Sequence, residues 1–274
     1  MGAEYFSPID FVRHRSSGTA VPASARTTVH FHPDFPFGDA DVLESLIISG
    51  TYRSQFETGI GNGGLTAFEG GDRWVWEQRM FGDGMAQQPL SHRPKYGALE
   101  LEGDLYGAAP RFGACFLRLN SGTLERTTFT YPDSVFQPVA FGTADRFALA
   151  DALRSSDLAD PLDRYIEAHV HGILRIAEDV EALVLDPSYR DTPVERRAMT
   201  LPVPIEWHPG YSLDLEELPD DAGAYRGPRV VAMALDIAQG EPLTPAALGR
   251  ARRAARFSVQ DIKLVWHLVA RYGR

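Results

Sequence analysis

Hydrophobic and polar positions alternate over residues 27–32, where Thr, Thr, Val, His, Phe and His precede Pro33. A period of two belongs to a strand, which puts His30 and His32 on one face and Val29 and Phe31 on the other. Over residues 39–49 the period lengthens. Acidic residues open the run, Val42, Leu43, Leu46 and Ile47 recur at helical spacing, and Gly50 stops it, which predicts a helix. GTYRSQFETGIGNGG reads as a strand entering a glycine-rich loop, and RPKYGALEL, PRFGACFLRL and RTTFTYPDS each have strand-like content. A helix is expected over 144–155. In DPLDRYIEAHVHG an extended backbone places Ile166, Ala168 and Val170 on one side and Tyr165, Glu167, His169 and His171 on the other. DVEALVLDP is a further apolar strand, followed by a proline-rich connection, LPVPIEWHPGY.

After Gly227-Pro228 the pattern turns helical. Thr244-Pro245 is an N-cap and first-turn pair, and Ser258 caps a segment in which Val259, Ile262, Val265, Trp266 and Val269 form an apolar stripe. The body is therefore read as β-rich and the end of the chain as a helical region. No fixed-period repeat interrupts this picture.

The chain has 274 residues, 44% of them hydrophobic, enough for a sizeable core in one domain or two unequal ones. Its 37 acidic residues outnumber 27 Lys and Arg, for a net charge of −10, which disfavours binding to a phosphate backbone or an anionic membrane surface. Lys95 and Lys263 are its two lysines. A single cysteine, Cys115, forms no internal disulfide and sits among apolar neighbours, where a thiol behaves as a small hydrophobe. No secretory signal is read at the N-terminus and no apolar run reaches the ~18 residues of a membrane span. A cytoplasmic protein of the producing cell is expected, with export by a system that reads no signal peptide left open.

Short motifs offer several chemistries. GIGNGG at 59–64 fits GxGxxG, but the polar YRSQFET before it and the second glycine pair after it do not make the strand and helix of a dinucleotide fold. Its backbone N–H groups still suit a phosphate. The pairs His30/His32 and His169/His171 suit a metal ion, as in metal-dependent hydrolases, or simply hydrogen-bonded strand histidines. The arginines of RARRAAR at 250–256 read as a solvated helix face.

Taken together, VHFHPD, YRSQFETG with NGG, RPKYGAL, FTYPDS, YIEAHVHG and the C-terminal LTP and VWHL segments resemble a bacterial family catalogued as uncharacterised. That family looks like a branch of the mono-ADP-ribosyltransferases, with members among translocated effectors. The resemblance implies an α+β fold with a split, mainly antiparallel β core, flanking helices and a helical C-terminal region. It also implies a catalytic domain at 1–204, with 1–25 as an N-terminal extension, and the helical part at 205–274. NAD+ would be the substrate, bound in a cleft, and a protein side chain the acceptor of ADP-ribose, arginine being the acceptor in the resembling toxins. By the same resemblance Glu167 is the catalytic glutamate, Ser54 the serine that supports it, and His30 or His32 the first-strand residue that contacts the cofactor. Tyr96 would stack on nicotinamide, and Arg53 and Gln55 would join the binding set. Asp179 and Glu181 offer an alternative acidic pair. Tyr165 stands where those toxins carry a Glu or Gln. A noncatalytic NAD- or ADP-ribose-binding module and a metal-dependent hydrolase are the competing readings.

Overall fold

The computed structural model describes residues 7–59, 66–219 and 222–274, so the GxGxxG match lies, Gly59 apart, outside the described residues. Eight strands make the central sheet: β1 (Arg26–Phe31), β2 (Lys95–Glu100), β3 (Cys115–Leu119), β4 (Thr127–Tyr131), β5 (Ala140–Thr143), β6 (Glu167–Val170), β7 (Val180–Leu185) and β8 (Ile205–Trp207). Their spatial order is β8-β7-β3-β1-β2-β6-β4-β5, and every pairing except the parallel β7–β8 is antiparallel. The fold is α+β, with a mainly antiparallel core and flanking helices.

The middle of this sheet is a narrow seam. β1 and β2 share three residue pairs, Arg26–Glu100, Thr27–Leu99 and Thr28–Ala98. From Val29 onward β1 pairs only with β3, while β2 runs from Ala98 back to Lys95 against β6. The two four-stranded halves therefore part just beyond Thr28 and Ala98. Gly97 permits the close approach there, since a Cβ at this position would lie 2.5 Å from the Thr28 carbonyl oxygen.

Alternation on the strands follows the sequence. Val29 and Phe31 join the main apolar core and His30 and His32 face the opposite side, just as Ile166, Ala168 and Val170 oppose Tyr165, Glu167, His169 and His171. The polar faces are nonetheless covered. The turn carrying Gly107, whose φ is +74°, packs against the His30 ring, and the C-terminal helix lies over His32.

Several local expectations shift. The helix expected at 39–49 is Val42–Ser49, because Asp41 caps it by accepting the Glu44 N–H at 2.9 Å, and the residues before it form a short hairpin, Pro36–Phe37 with Ala40–Asp41. The helix expected at 144–155 shortens to Leu149–Arg154, since Asp145 accepts the Thr143 hydroxyl at 2.8 Å and Phe147 bonds to Thr19, a turn that competes with helix. A helix at Asp72–Phe81 follows the second glycine pair, where the sequence reading has none; Trp76, Met80 and Phe81 bury one of its faces. The proline-rich connection contains β8.

The chain ends in α1 (Pro228–Ala238), α2 (Pro245–Arg253) and α3 (Val259–Tyr272). Thr244 caps α2, and Ser258 with Asp261 forms a capping box on α3. Of the predicted stripe, Ile262, Val265, Trp266 and Val269 are buried, whereas Val259 is exposed. Residues 205–274 include β8, which pairs with β7, and the three helices share one apolar core with the sheet. Among the described residues no helix is long and apolar enough to cross a membrane.

Trp266 ties α3 to the body. It is fully buried, donates its indole N–H to the Pro110 carbonyl at 2.8 Å, and meets His32 and Tyr211 edge-on. Trp266→Ala is expected to cost about 3–5 kcal/mol of stability, the usual range for emptying an aromatic core site. Urea unfolding measures this, and a loss below about 1 kcal/mol would contradict the packing described.

Candidate functional site

The parting of the halves leaves two adjoining cavities. The smaller is lined by Thr28, His30, Arg73, Gly97, Asp133, Ser134, Tyr165 and Glu167 among others. The larger, about 390 Å³, lies between β1, the segment before and after Arg53, and the C-terminal helices. Tyr52, Gln55, Tyr96 and Phe112 line both.

Glu167, the first residue of β6, points into the smaller cavity and is 5% exposed. Its Oε1 accepts His169 Nε2–H at 2.7 Å, and its Oε2 accepts the Ser134 hydroxyl at 3.0 Å and the Ser134 N–H at 3.3 Å. Ser134 Oγ in turn receives an Arg73 guanidinium N–H at 2.9 Å. Burial pushes the Glu167 carboxyl up. The His169 hydrogen bond and charge, the Arg73 charge and the Ser134 N–H outweigh it and hold Glu167 below the ordinary range. The site thus contains a buried, fixed, ionised carboxylate.

Around it lies a buried polar framework. Arg73 lies 4.1 Å from the Tyr96 ring centre. The Tyr96 hydroxyl donates to Glu77 Oε1 at 2.8 Å, and Arg93 pairs with Glu77 Oε2 at 2.6 Å, both charged groups being inaccessible to solvent. Burial raises Glu77 to about 7 against the pull of Tyr96 and Arg93. On the other side, His169 Nδ1 and His171 Nε2 both contact the Thr128 hydroxyl, at 3.3 and 3.0 Å.

The expected residues fare unequally. His30 lines the smaller cavity, but its Nδ1 faces the Gly113 carbonyl at 3.0 Å and its Nε2 accepts the Ala109 N–H at 3.3 Å. Burial drives it down to about 3, so it is a neutral wall whose N–H is already engaged. His32 lines the larger cavity, stacked on Phe35, with Nδ1 unpartnered and its pKa likewise lowered by burial to about 3. Tyr96 lines both cavities with Arg73 against its ring. Arg53 lines the larger one and donates to Ser45 Oγ at 2.6 Å, and Gln55 lines both, its Oε1 buried and unpartnered.

Ser54 requires correction. It is not on a strand and makes no hydrogen bond to Glu167; it caps the short helix Gln55–Thr58, accepting the Glu57 N–H at 3.2 Å and donating to the Leu90 carbonyl at 2.7 Å. The reason is written in Ser-Gln-Phe-Glu, a capping box. The serine that holds Glu167 is Ser134, from the FTYPDS segment. The alternative acids line neither cavity. Glu181 pairs with Arg26 at 2.6 Å and Arg118 at 3.1 Å, and Asp179 pairs with Arg126 at 2.8 Å. Among the described residues no group of three or more His, Cys, Asp or Glu is arranged to hold a metal ion.

Charge distinguishes the larger cavity. In a chain of net charge −10, its described lining includes Arg53, Lys95, Arg111, Arg252 and Lys263 and no carboxylate. Both lysines of the chain are here, and Arg252 belongs to the run read as a solvated face. Phe35, Phe37, Phe112 and Trp266 supply apolar surface beside them. Sequence reading misses Arg73 because nothing in its local spacing marks it; Asp133 and Ser134 lie in a segment the sequence reading singles out, without a role attached to either.

A family model described as Protein of unknown function (DUF3626) matches residues 26–156 and 149–272. No curated protein matches the chain.

Proposed function

The chain belongs to the DUF3626 family of proteins of unknown function, and we propose that it is a mono-ADP-ribosyltransferase, moving ADP-ribose from NAD+ to a protein side chain with release of nicotinamide. The observation that carries this reading is the ionised Glu167, clamped by Ser134 and His169 in a small cavity that adjoins a larger one lined by basic and aromatic side chains. A dinucleotide fits this donor set. Arg53, Arg252 and Lys263 suit its pyrophosphate and the aromatic surface suits adenine. A volume near 390 Å³ falls in the range of small-molecule sites.

Cleavage of the nicotinamide–ribose bond builds positive charge on the sugar, as in glycosidic hydrolysis. Glu167 faces that charge as an anion, and Ser134 and His169 fix its position before the reaction begins. His169 and then Arg73 keep it ionised. Tyr96, tied to Glu77 and Arg73, forms a rigid wall, and His30 contributes neutral surface. The membership of the ADP-ribosyltransferase superfamily that the motifs suggest belongs to this same proposal, as does action as a translocated effector.

Purified protein incubated with labelled NAD+ and a cell lysate tests it. Nicotinamide release with a labelled protein band is the expected result. Calorimetric binding of NAD+ without any nicotinamide release would leave a noncatalytic binding module, and inactivation by chelator would point to a metal hydrolase.

A further inference from the structure

We propose that Asp133 is the general base of this site, taking the proton from the acceptor nucleophile while Glu167 stabilises the ribosyl cation. The assignment rests on the transferase reading. Asp133 and Glu167 line the same small cavity. They are coupled through one segment, since the residue after Asp133 supplies both hydrogen bonds to Glu167 Oε2. Asp133 is itself anchored: its Oδ2 accepts the Tyr165 hydroxyl, and its Oδ1 accepts the Val135 N–H at 3.0 Å. Tyr165 stands two residues before Glu167, ahead of β6, and its phenol is aimed at the Asp133 carboxylate.

The surroundings separate the two acids. Glu167 is held low by His169 and Arg73, whereas burial and then the Glu167 charge raise Asp133, with Asp163 adding to the rise and Tyr165 and the Val135 N–H opposing it. Arg111 pairs with Asp163 at 2.6 Å and Asp160 at 3.4 Å, and its charge also acts on Tyr165. Two carboxylates driven apart in one pocket mark a division of labour between charge stabiliser and proton acceptor. In the step, the acceptor's N or O bonds to the ribose C1′ as the C–N bond to nicotinamide breaks. That bond's electron pair leaves with nicotinamide, which departs neutral, and the acceptor's proton passes to Asp133 and then to water.

The test uses the full chain and measures nicotinamide release, NAD+ affinity by calorimetry and the pH profile. Asp133→Asn keeps the shape of the side chain and is expected to lose transfer by about 10²- to 10⁴-fold, the span of a general base, with NAD+ affinity within about threefold of wild type. Azide, a nucleophile that needs no base, is expected to restore nicotinamide release to Asp133→Asn but not to Glu167→Gln. Tyr165→Phe removes the bond that lowers Asp133, so the acidic limb of its rate profile should move to higher pH. An active wild type whose Asp133→Asn form transfers normally, or stays inactive in azide while binding NAD+, overturns this assignment alone, and so does an unmoved limb in Tyr165→Phe. A wild type that binds NAD+ but releases no nicotinamide overturns the transferase reading and this assignment with it.

Discussion

Glu167→Gln is expected to retain NAD+ binding and lose turnover by about 10³-fold or more, roughly 4 kcal/mol of transition-state stabilisation. The side chain is nearly isosteric, and the Ser134 hydroxyl can still donate to the remaining carbonyl oxygen. What disappears is the negative charge opposite the developing sugar cation, in a cavity where burial makes a charge count for more than it does in water. A ground-state ligand with its ribose bond intact needs that charge far less, so kcat should fall while affinity changes little. Glu181→Gln is the contrast. Its carboxylate is partly exposed between Arg26 and Arg118, outside both cavities, and its loss should leave turnover within about twofold, since exposed ion pairs contribute little. Initial rates of nicotinamide release, with calorimetry for affinity, check both variants. Equal rates for Glu167→Gln and wild type would remove Glu167 from the chemistry.

Stability should fall steeply on mild acidification. His30, His32 and His267 are buried as neutral rings, each lowered from an ordinary value of 6.5 to about 3, by burial first in every case. His267 has no hydrogen-bond partner on either nitrogen, and Arg111, Arg226 and Lys263 further oppose its charging. Below pH 6.5 the unfolded chain takes up protons at these rings and the folded chain does not, so their contribution is complete above pH 6.5 and is lost as pH falls toward 3. Each ring contributes up to about 1.4 kcal/mol per pH unit. Glu77 acts in the opposite sense. Its folded value of about 7 lies above the ordinary 4.5, so between these values the folded state holds the extra proton and gains from acidification. Burial also holds His171 and His208 below their ordinary value, so the histidines outweigh Glu77 and the net loss is about 2 kcal/mol per pH unit or more near pH 5.5. Against a typical stability of about 5–15 kcal/mol this unfolds the protein well above the usual carboxylate range. Urea midpoints at pH 7.5, 6.5 and 5.5 measure it, and a constant midpoint would refute the buried-neutral assignment. His267→Leu, remote from Glu167, should soften the decline by roughly 1 kcal/mol per pH unit near pH 5.5, because it removes one ring's contribution.

Alternation and capping are written in the local order of residues, and they carried over. The faces of β1 and β6, the strand DVEALVLDP and the capped starts of α2 and α3 follow from a period of two or from Thr and Ser before a helical run. Ser54 obeys the same local rule: Ser-Gln-Phe-Glu encodes a helix cap and not the strand that the resemblance implies. Glu167 was legible because its strand face and its motif coincide. Its partners were not. Ser134 and Arg73 come from a loop and a helix distant in sequence, and only the pairing of β2, β4 and β6 brings them to the same carboxylate. The cationic cavity is likewise assembled from Arg53, Arg111, Arg252 and Lys263, each of which reads locally as an ordinary charged residue. Periodicity is set by neighbours along the chain and can be read one segment at a time. Burial, charge environment and the convergence of side chains depend on which segments the sheet brings together, and that was decided by the tertiary structure alone.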